Sequence, residues 1–174
     1  MLPPVVQKAL YDQINLEFHS SYSYLGMAAY CEHVSFTGSA KWFRVQSQEE
    51  TTHAMKLYDF LLARGCSVEL PAIAASATRY ESIPHVFRKS LEQEQHVTKS
   101  IDRLYELAYQ EKAFAALVEL QWFIAEQVEE EKTIRDILAK IELIKDDPSA
   151  MIDLDRELGT RQLSAGAAAE KTAE

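Results

Sequence analysis

The sequence predicts an all-α fold: a four-helix bundle with one long crossover connection and a short fifth helix at the C-terminal end. Three observations carry this expectation. Only 5 Gly and 5 Pro punctuate the 174 residues, and good helix formers fill the intervals. Apolar residues recur at steps of three and four along four long segments. Residues 66–81 hold Pro71 and no sustained periodicity, a connection long enough to join two parallel helices at opposite ends of a bundle.

The first helix starts after Pro3-Pro4, because Pro suits a first helical turn, and runs to about His33. A turn at residues 35–38 follows, and Thr37 or Ser39 can cap the second helix. That helix ends at Arg64-Gly65, a Gly terminator. Ser82 with Pro84 opens the third helix. From there no Gly or Pro interrupts the pattern to about Lys145. A single helix over 84–145 would be about 93 Å long at 1.5 Å per residue, too long for a compact domain, so a break is expected near 110–113. The fourth helix then spans about 113–145. Asp147-Pro148 opens a fifth, which ends at Leu158 before Gly159. Residues 1–160 read as one domain and 161–174 as a tail, its Ala-rich stretch from Ser164 to Glu174 disordered.

The inner stripes can be read residue by residue. The first helix presents Val6, Leu10, Ile14, Glu17, Ser21, Tyr24, Ala28 and Cys31; the second presents Phe43, Gln46, Glu50, His53, Leu57 and Leu61. The third presents Phe87, Leu91, Glu94, Thr98, Ile101 and Tyr105; the fourth presents Leu120, Phe123, Gln127, Glu130, Ile134, Ile137 and Ile141. Polar residues interrupt every stripe near mid-helix. An interval of 33 residues separates Glu17 from Glu50 and also Glu94 from Gln127, and three residues beyond Glu50 and Gln127 stand His53 and Glu130.

Four carboxylates meeting in a low-dielectric interior repel one another, and each costs several kcal/mol when uncompensated. No Lys or Arg lies on these stripes at that level. Two divalent cations would bring the site close to neutral. Oxygen-rich ligation with one imidazole suits iron or manganese and tolerates zinc. Glu49, Glu126 and Glu129 stand one residue off the stripes; they form either a solvated acidic face or a weaker outer metal position. Tyr24 lies two turns beyond Glu17, as a core tyrosine or as a redox-active phenol beside the metals. Trp122 reads as packing first and electron donor second. His19, His33, His85 and His96 have no partner at ligand spacing and read as surface or packing residues.

The net charge is −9, from 27 acidic and 18 basic residues, which disfavours nucleic acid and anionic membranes as partners and favours cations. No apolar run is long enough for a membrane span, and the N-terminus lacks a basic region followed by a hydrophobic segment, so no leader and a cytoplasmic location are expected. Cys31 and Cys66 are expected as free thiols, with a disulfide as the alternative.

These residues resemble the non-haem ferritins of the bacterial or cyanobacterial kind. The resemblance covers residues 5 to about 160. It is carried by Asn15-Leu16-Glu17 with Tyr24, by Glu49-Glu50-Thr51-Thr52-His53, by Glu94, and by Glu126-Gln127-Val128-Glu129-Glu130. It implies a ferroxidase centre that oxidises Fe(II) with O₂ or peroxide, and storage of the ferric product as mineral. In that reading Glu17 and His53 hold the first iron, Glu50 bridges, and Glu94 binds the second with Gln127 and Glu130 nearby. Glu49, Glu126, Glu129 and Glu130 form a third iron site. The family also implies a homo-oligomeric shell of 24 subunits, with the fifth helix lining four-fold channels.

Thr51 stands where bacterioferritins carry a haem-ligating Met, and Glu130 where they carry His, so no haem is expected. Two cysteines cannot make the four-cysteine iron site of rubrerythrins. Within 116–121, the stretch matching the family's three-fold channel, only Glu119 is charged. Two other classes stay open at this stage: a di-iron or iron–manganese oxidase acting on an organic substrate, and a structural bundle whose buried acids sense pH or are merely tolerated. The outer acids and the fifth helix favour storage.

Overall fold

The structure, a computed structural model, describes residues 2–145 and 147–163. Five helices follow in order: α1 Pro4–His33, α2 Thr37–Ala63, α3 Ile83–Gln110, α4 Phe114–Ile144 and α5 Pro148–Leu158. No other regular element occurs among the described residues. Part of the tail expectation, residues 164–174, lies outside them.

Short turns join α1 to α2 and α3 to α4, and these are the two closest helix pairs. Both turns hold a non-glycine residue in the left-handed region, Ser35 at φ 66° and Lys112 at φ 55°. The break expected near 110–113 is therefore a real reversal, with Glu111 to Ala113 between the helices. Gly65, at φ 71°, ends α2; nothing lies near the position of a Cβ there, so backbone conformation alone favours glycine.

The crossover runs along α1. The Tyr11 hydroxyl donates to the Ser67 carbonyl at 2.5 Å, the Ala77 carbonyl closes on Gly26, and the Tyr80 ring meets Tyr30 edge-on at 5.4 Å. Ascending from the level of Tyr11 to that of Tyr30 covers about 28 Å of helix. That climb returns the chain to the end where α2 began, so α2 and α3 run parallel. A Cβ on Gly26 would sit 2.5 Å from the Ala77 oxygen, so any side chain there would push the crossover off α1.

Two caps agree with the sequence. The Ser82 hydroxyl accepts from the His85 amide at 3.2 Å, and the Asp147 carboxylate accepts from the Ser149 and Ala150 amides at 2.9 and 3.3 Å. The cap of α2 differs. Neither Thr37 nor Ser39 caps its own helix. The Asp155 carboxylate of α5 instead accepts from the Gly38 amide at 2.9 Å and from the Ser39 amide and hydroxyl, both at 2.7 Å. An anion at a helix N-terminus is favoured by the orphan amides and by the dipole. A tertiary contact supplies here what a local cap usually does.

The interior has two apolar halves. One gathers Val6, Leu10, Ile14, Leu57, Leu61, Ile101, Leu104, Leu120 and Phe123. The other gathers Tyr24, Phe43, Phe87, Ile134, Ile137 and Ile141, with Leu154 and Leu158 of α5 closing its end. A polar belt separates them: Gln13, Glu17, Gln46, Glu50, His53, Glu94, Gln127 and Glu130 are all buried. The stripe of α3 is offset from expectation. Val97 and Leu104 are buried, whereas Thr98 and Tyr105 are half-buried. The Thr98 hydroxyl has other work, since it donates to Glu131 at 2.8 Å and accepts from Gln127 at 3.2 Å.

Candidate metal centre

Each helix delivers its polar residues at mid-height because its apolar steps are interrupted there and nowhere else on the inner face. Glu17, Glu50 and Glu94 are almost completely inaccessible to solvent, at 1%, 1% and 0% exposure. Glu130 and His53 are each 5% exposed. A cluster so deep cannot be neutralised by water.

Two groups of ligand atoms converge, each within 4.8 Å: Glu17 with Glu50 and His53, and His53 with Glu126 and Glu130. His53 belongs to both. Its Nδ1 lies 3.7 Å from Glu50 Oε2, and its ring is held edge-on by Trp122 at 5.3 Å and by Phe123 at 6.2 Å. Glu94 stands outside both groups, across the bundle. The Tyr24 hydroxyl donates to its Oε1, and the Gln127 amide donates to its Oε2 at 3.1 Å and to its carbonyl at 3.2 Å.

Two glutamines not singled out as site residues from the sequence organise the carboxylates. Gln13 Nε2 donates to Glu17 Oε1 at 2.7 Å. Gln46 Nε2 donates to Glu50 at 3.0 Å and to Glu130 at 2.8 Å. Both sit four residues before a buried Glu, so each lies one turn away on the same face. The repeated Gln-x-x-x-Glu was a readable signal. Glu17 Oε2 has no hydrogen-bond partner among the described residues, which leaves a buried oxygen to be satisfied by a cation.

The electrostatics follow. Burial, then the neighbouring Glu50 charge, pushes Glu17 up to about 8. Burial and Glu50 likewise push Glu94 up to about 8, against the Tyr24 and Gln127 hydrogen bonds that favour its anion. Glu50 and Glu130 are raised by burial first, and then by Glu130 and Glu94 respectively. Burial and then Glu94 hold the Tyr24 phenol well above its usual range. Carboxyls that resist ionisation without a counter-charge, around an orphaned oxygen and a single imidazole, fit divalent cations with a preference for oxygen.

A family model described as the ferritin-like domain matches residues 7–144. The chain belongs to the ferritin family. It is 39% identical to the bacterial non-heme ferritin of Staphylococcus aureus (strain MRSA252) over 161 residues, 92% of this chain and 97% of that protein. The corresponding protein of Staphylococcus haemolyticus is 37% identical over the same shares. Among solved structures, an engineered closed form of the Archaeoglobus fulgidus ferritin superposes with a TM-score of 0.93 at 43% identity, covering 94% of this chain and all of that one. The open pore ferritin of the same archaeon gives 0.92 at 44% identity, covering 93% and 100%.

The rim of this ferritin's site departs from the sequence expectation. Glu126 joins His53 and Glu130, but Glu129 is exposed and belongs to neither ligand group. Glu49 is buried and forms an ion pair with Arg161, a residue beyond α5 that no motif pointed to. Thr51 is bound in a hydroxyl network, 3.0 Å from Ser21 Oγ and 3.0 Å from the Ser47 carbonyl. Trp122 is 40% exposed; Lys56 lies over its ring at 5.0 Å and pairs with Glu119 at 3.4 Å. His19, His33, His85 and His96 join neither ligand group. Cys31 and Cys66 are free thiols. No helix among the described residues is long and apolar enough to cross a membrane.

Proposed function

We propose that this ferritin stores iron, and that the belt between its two apolar halves is a ferroxidase centre with Fe(II) as substrate. The observation that carries the reading is the single imidazole common to two ligand groups. Glu17, Glu50 and His53 receive the first Fe(II), Glu50 bridges to the second, and Glu94 with Gln127 and Glu130 holds that one. Each carboxyl gives up its proton as the ion binds, because metal ligands must be deprotonated. The two ions supply two electrons, and O₂ takes them with two protons to give hydrogen peroxide; peroxide as oxidant would give water. Tyr24 orients Glu94 through its hydroxyl and lies close enough to exchange an electron with the site. His53 then serves the outward set, Glu126 and Glu130 with Glu49 and Glu129 beyond, by which Fe(III) leaves for the mineral.

The assembly proposed is a closed homo-oligomeric shell of 24 subunits working in the cytoplasm. The exposed Ile152 on α5 and the exposed Tyr22, Leu25, Tyr109 and Phe114 on the bundle surface support extensive subunit contacts. Anaerobic Fe(II) titration, followed by rapid mixing with O₂ and native mass spectrometry, tests the whole reading. The expected result is two rapidly oxidised Fe(II) per subunit in a particle of 24 chains. Absence of tight Fe(II) binding would return the site to a structural cluster of protonated acids. Fast oxidation in a monomer or dimer would point to a di-iron oxidase instead.

A further inference from the structure

Resting on this reading of the centre, the outer acidic position already contains a cation of the chain's own. Arg161 Nη2 donates to Glu49 Oε2, its Nη1 donates to Gln46 Oε1 at 2.7 Å, and its guanidinium lies over the Trp42 ring at 4.3 Å. The side chain is only 19% exposed, so these contacts are screened little by solvent. Glu130, two bonds further along the relay, also feels the Arg161 charge.

We propose that Arg161 is a tethered counter-cation that occupies the outer position, so that a third metal ion binds there only by displacing it. The chemistry is competitive. An ion seated between Glu49 and the Glu126–Glu130 pair needs the Glu49 carboxylate, and Glu49 now holds the guanidinium. A dication and a guanidinium sharing one carboxylate in a half-dry site also repel. The Trp42 face gives the displaced side chain a resting place, because a planar guanidinium stacks on an indole without a carboxylate.

A second consequence follows from donor arithmetic. Arginine can only donate, so its bond obliges Gln46 to present Oε1 outward and Nε2 inward. The inward amide then binds Glu50 and Glu130 together. Arg161 is in this sense a positioning residue: it holds the carboxylates of the inner and outer ligand groups in one hydrogen-bonded unit until an ion arrives.

The test is equilibrium binding of Zn²⁺, which is redox-silent, to the assembled full-length protein and to Arg161→Gln and Arg161→Lys. The parent should show two tight ions per subunit and a weak third. In Arg161→Gln the dissociation constant of the third should fall about tenfold, with the first two unchanged, because a neighbouring like charge is gone. Arg161→Lys keeps the charge but cannot span Gln46 and Glu49, so its constant should fall by about threefold. A third constant that stays put or rises in both variants, with two tight ions retained, overturns the proposal. Loss of the two tight ions in the parent overturns the underlying reading of the centre instead.

Discussion

The Tyr24 hydroxyl donates a hydrogen bond to the Glu94 carboxylate, joining α1 to α3 through the middle of the bundle. Both residues are fully buried, and the Tyr24 ring stacks on Phe43 at 5.9 Å, so the phenol is anchored at its face and used at its tip. Fold and site share this one side chain: the ring belongs to the apolar half of the core, the hydroxyl to the polar belt.

Tyr24→Phe should separate the two roles. The ring and its packing persist, and the lost hydrogen bond should cost about 1 kcal/mol. Removing a donor that favours the Glu94 anion raises that carboxyl further, so binding of the second ion should weaken at neutral pH. Thermal unfolding of the assembled variant should change little while its stopped-flow oxidation traces slow. Traces matching the parent would leave Tyr24 with packing alone.

Glu50→Ala should do opposite things to chemistry and to metal-free stability. The carboxylate shared by the first group and the bridge is removed, so rapid Fe(II) oxidation should fall by about a hundredfold or more, as losing a group that positions both reactants does. Without metal the variant should resist alkaline unfolding better than the parent, because one buried repulsive charge has gone. Oxidation at the parent rate would remove Glu50 from the centre.

The pH dependence of the metal-free protein follows from Glu17 and Glu94, both near 8 in the folded chain against an ordinary 4.5. A folded-state value above the unfolded one means that the folded protein holds more protons between the two. Their contribution is therefore fully present below about 4.5 and is lost as pH rises through about 8. Metal-free protein should unfold at a lower temperature at pH 9 than at pH 6, and saturating Zn²⁺ should abolish the difference. Zn²⁺ binding at pH 7 should release protons, seen by calorimetry in buffers of different ionisation enthalpy. A midpoint that rises with pH in the metal-free protein would contradict the assignment.

The seam between α2 and α5 should be intolerant of small changes. A Cβ on Gly38 would overlap the Asp155 carbonyl, and Gly159 approaches Gly38 so closely that its own Cβ would lie 3.1 Å from the Gly38 Cα. Gly38→Ala should lever α5 off the bundle. Asp155→Ala removes the acceptor that caps α2, and should cost about 0.5–2 kcal/mol, the range for helix N-caps. Hydrogen exchange over 148–158 should quicken in both variants, more in Gly38→Ala. Unchanged protection in Gly38→Ala would mean that the seam yields without cost.

The sequence alone determined the helices and the level of the site. Spacing of threes and fours does not depend on what a helix packs against, and a Glu at mid-stripe stays on the inner face whatever its partner. Glu17, Glu50, His53, Glu94, Gln127 and Glu130 were legible for that reason, and so was the break near Lys112, because no compact domain holds so long a rod. Tertiary structure decided what depends on approach from another element. Asp155 caps α2 from 117 residues beyond Gly38, and Arg161 reaches Glu49 from 112 residues away. Neither has a local periodicity to betray it, since an ion pair or a borrowed cap constrains only the two ends that meet. The one-residue offset on α3 has the same origin. Thr98 and Val97 are both possible inner residues by period, and the Gln127 and Glu131 side chains of α4 drew Thr98 to the rim.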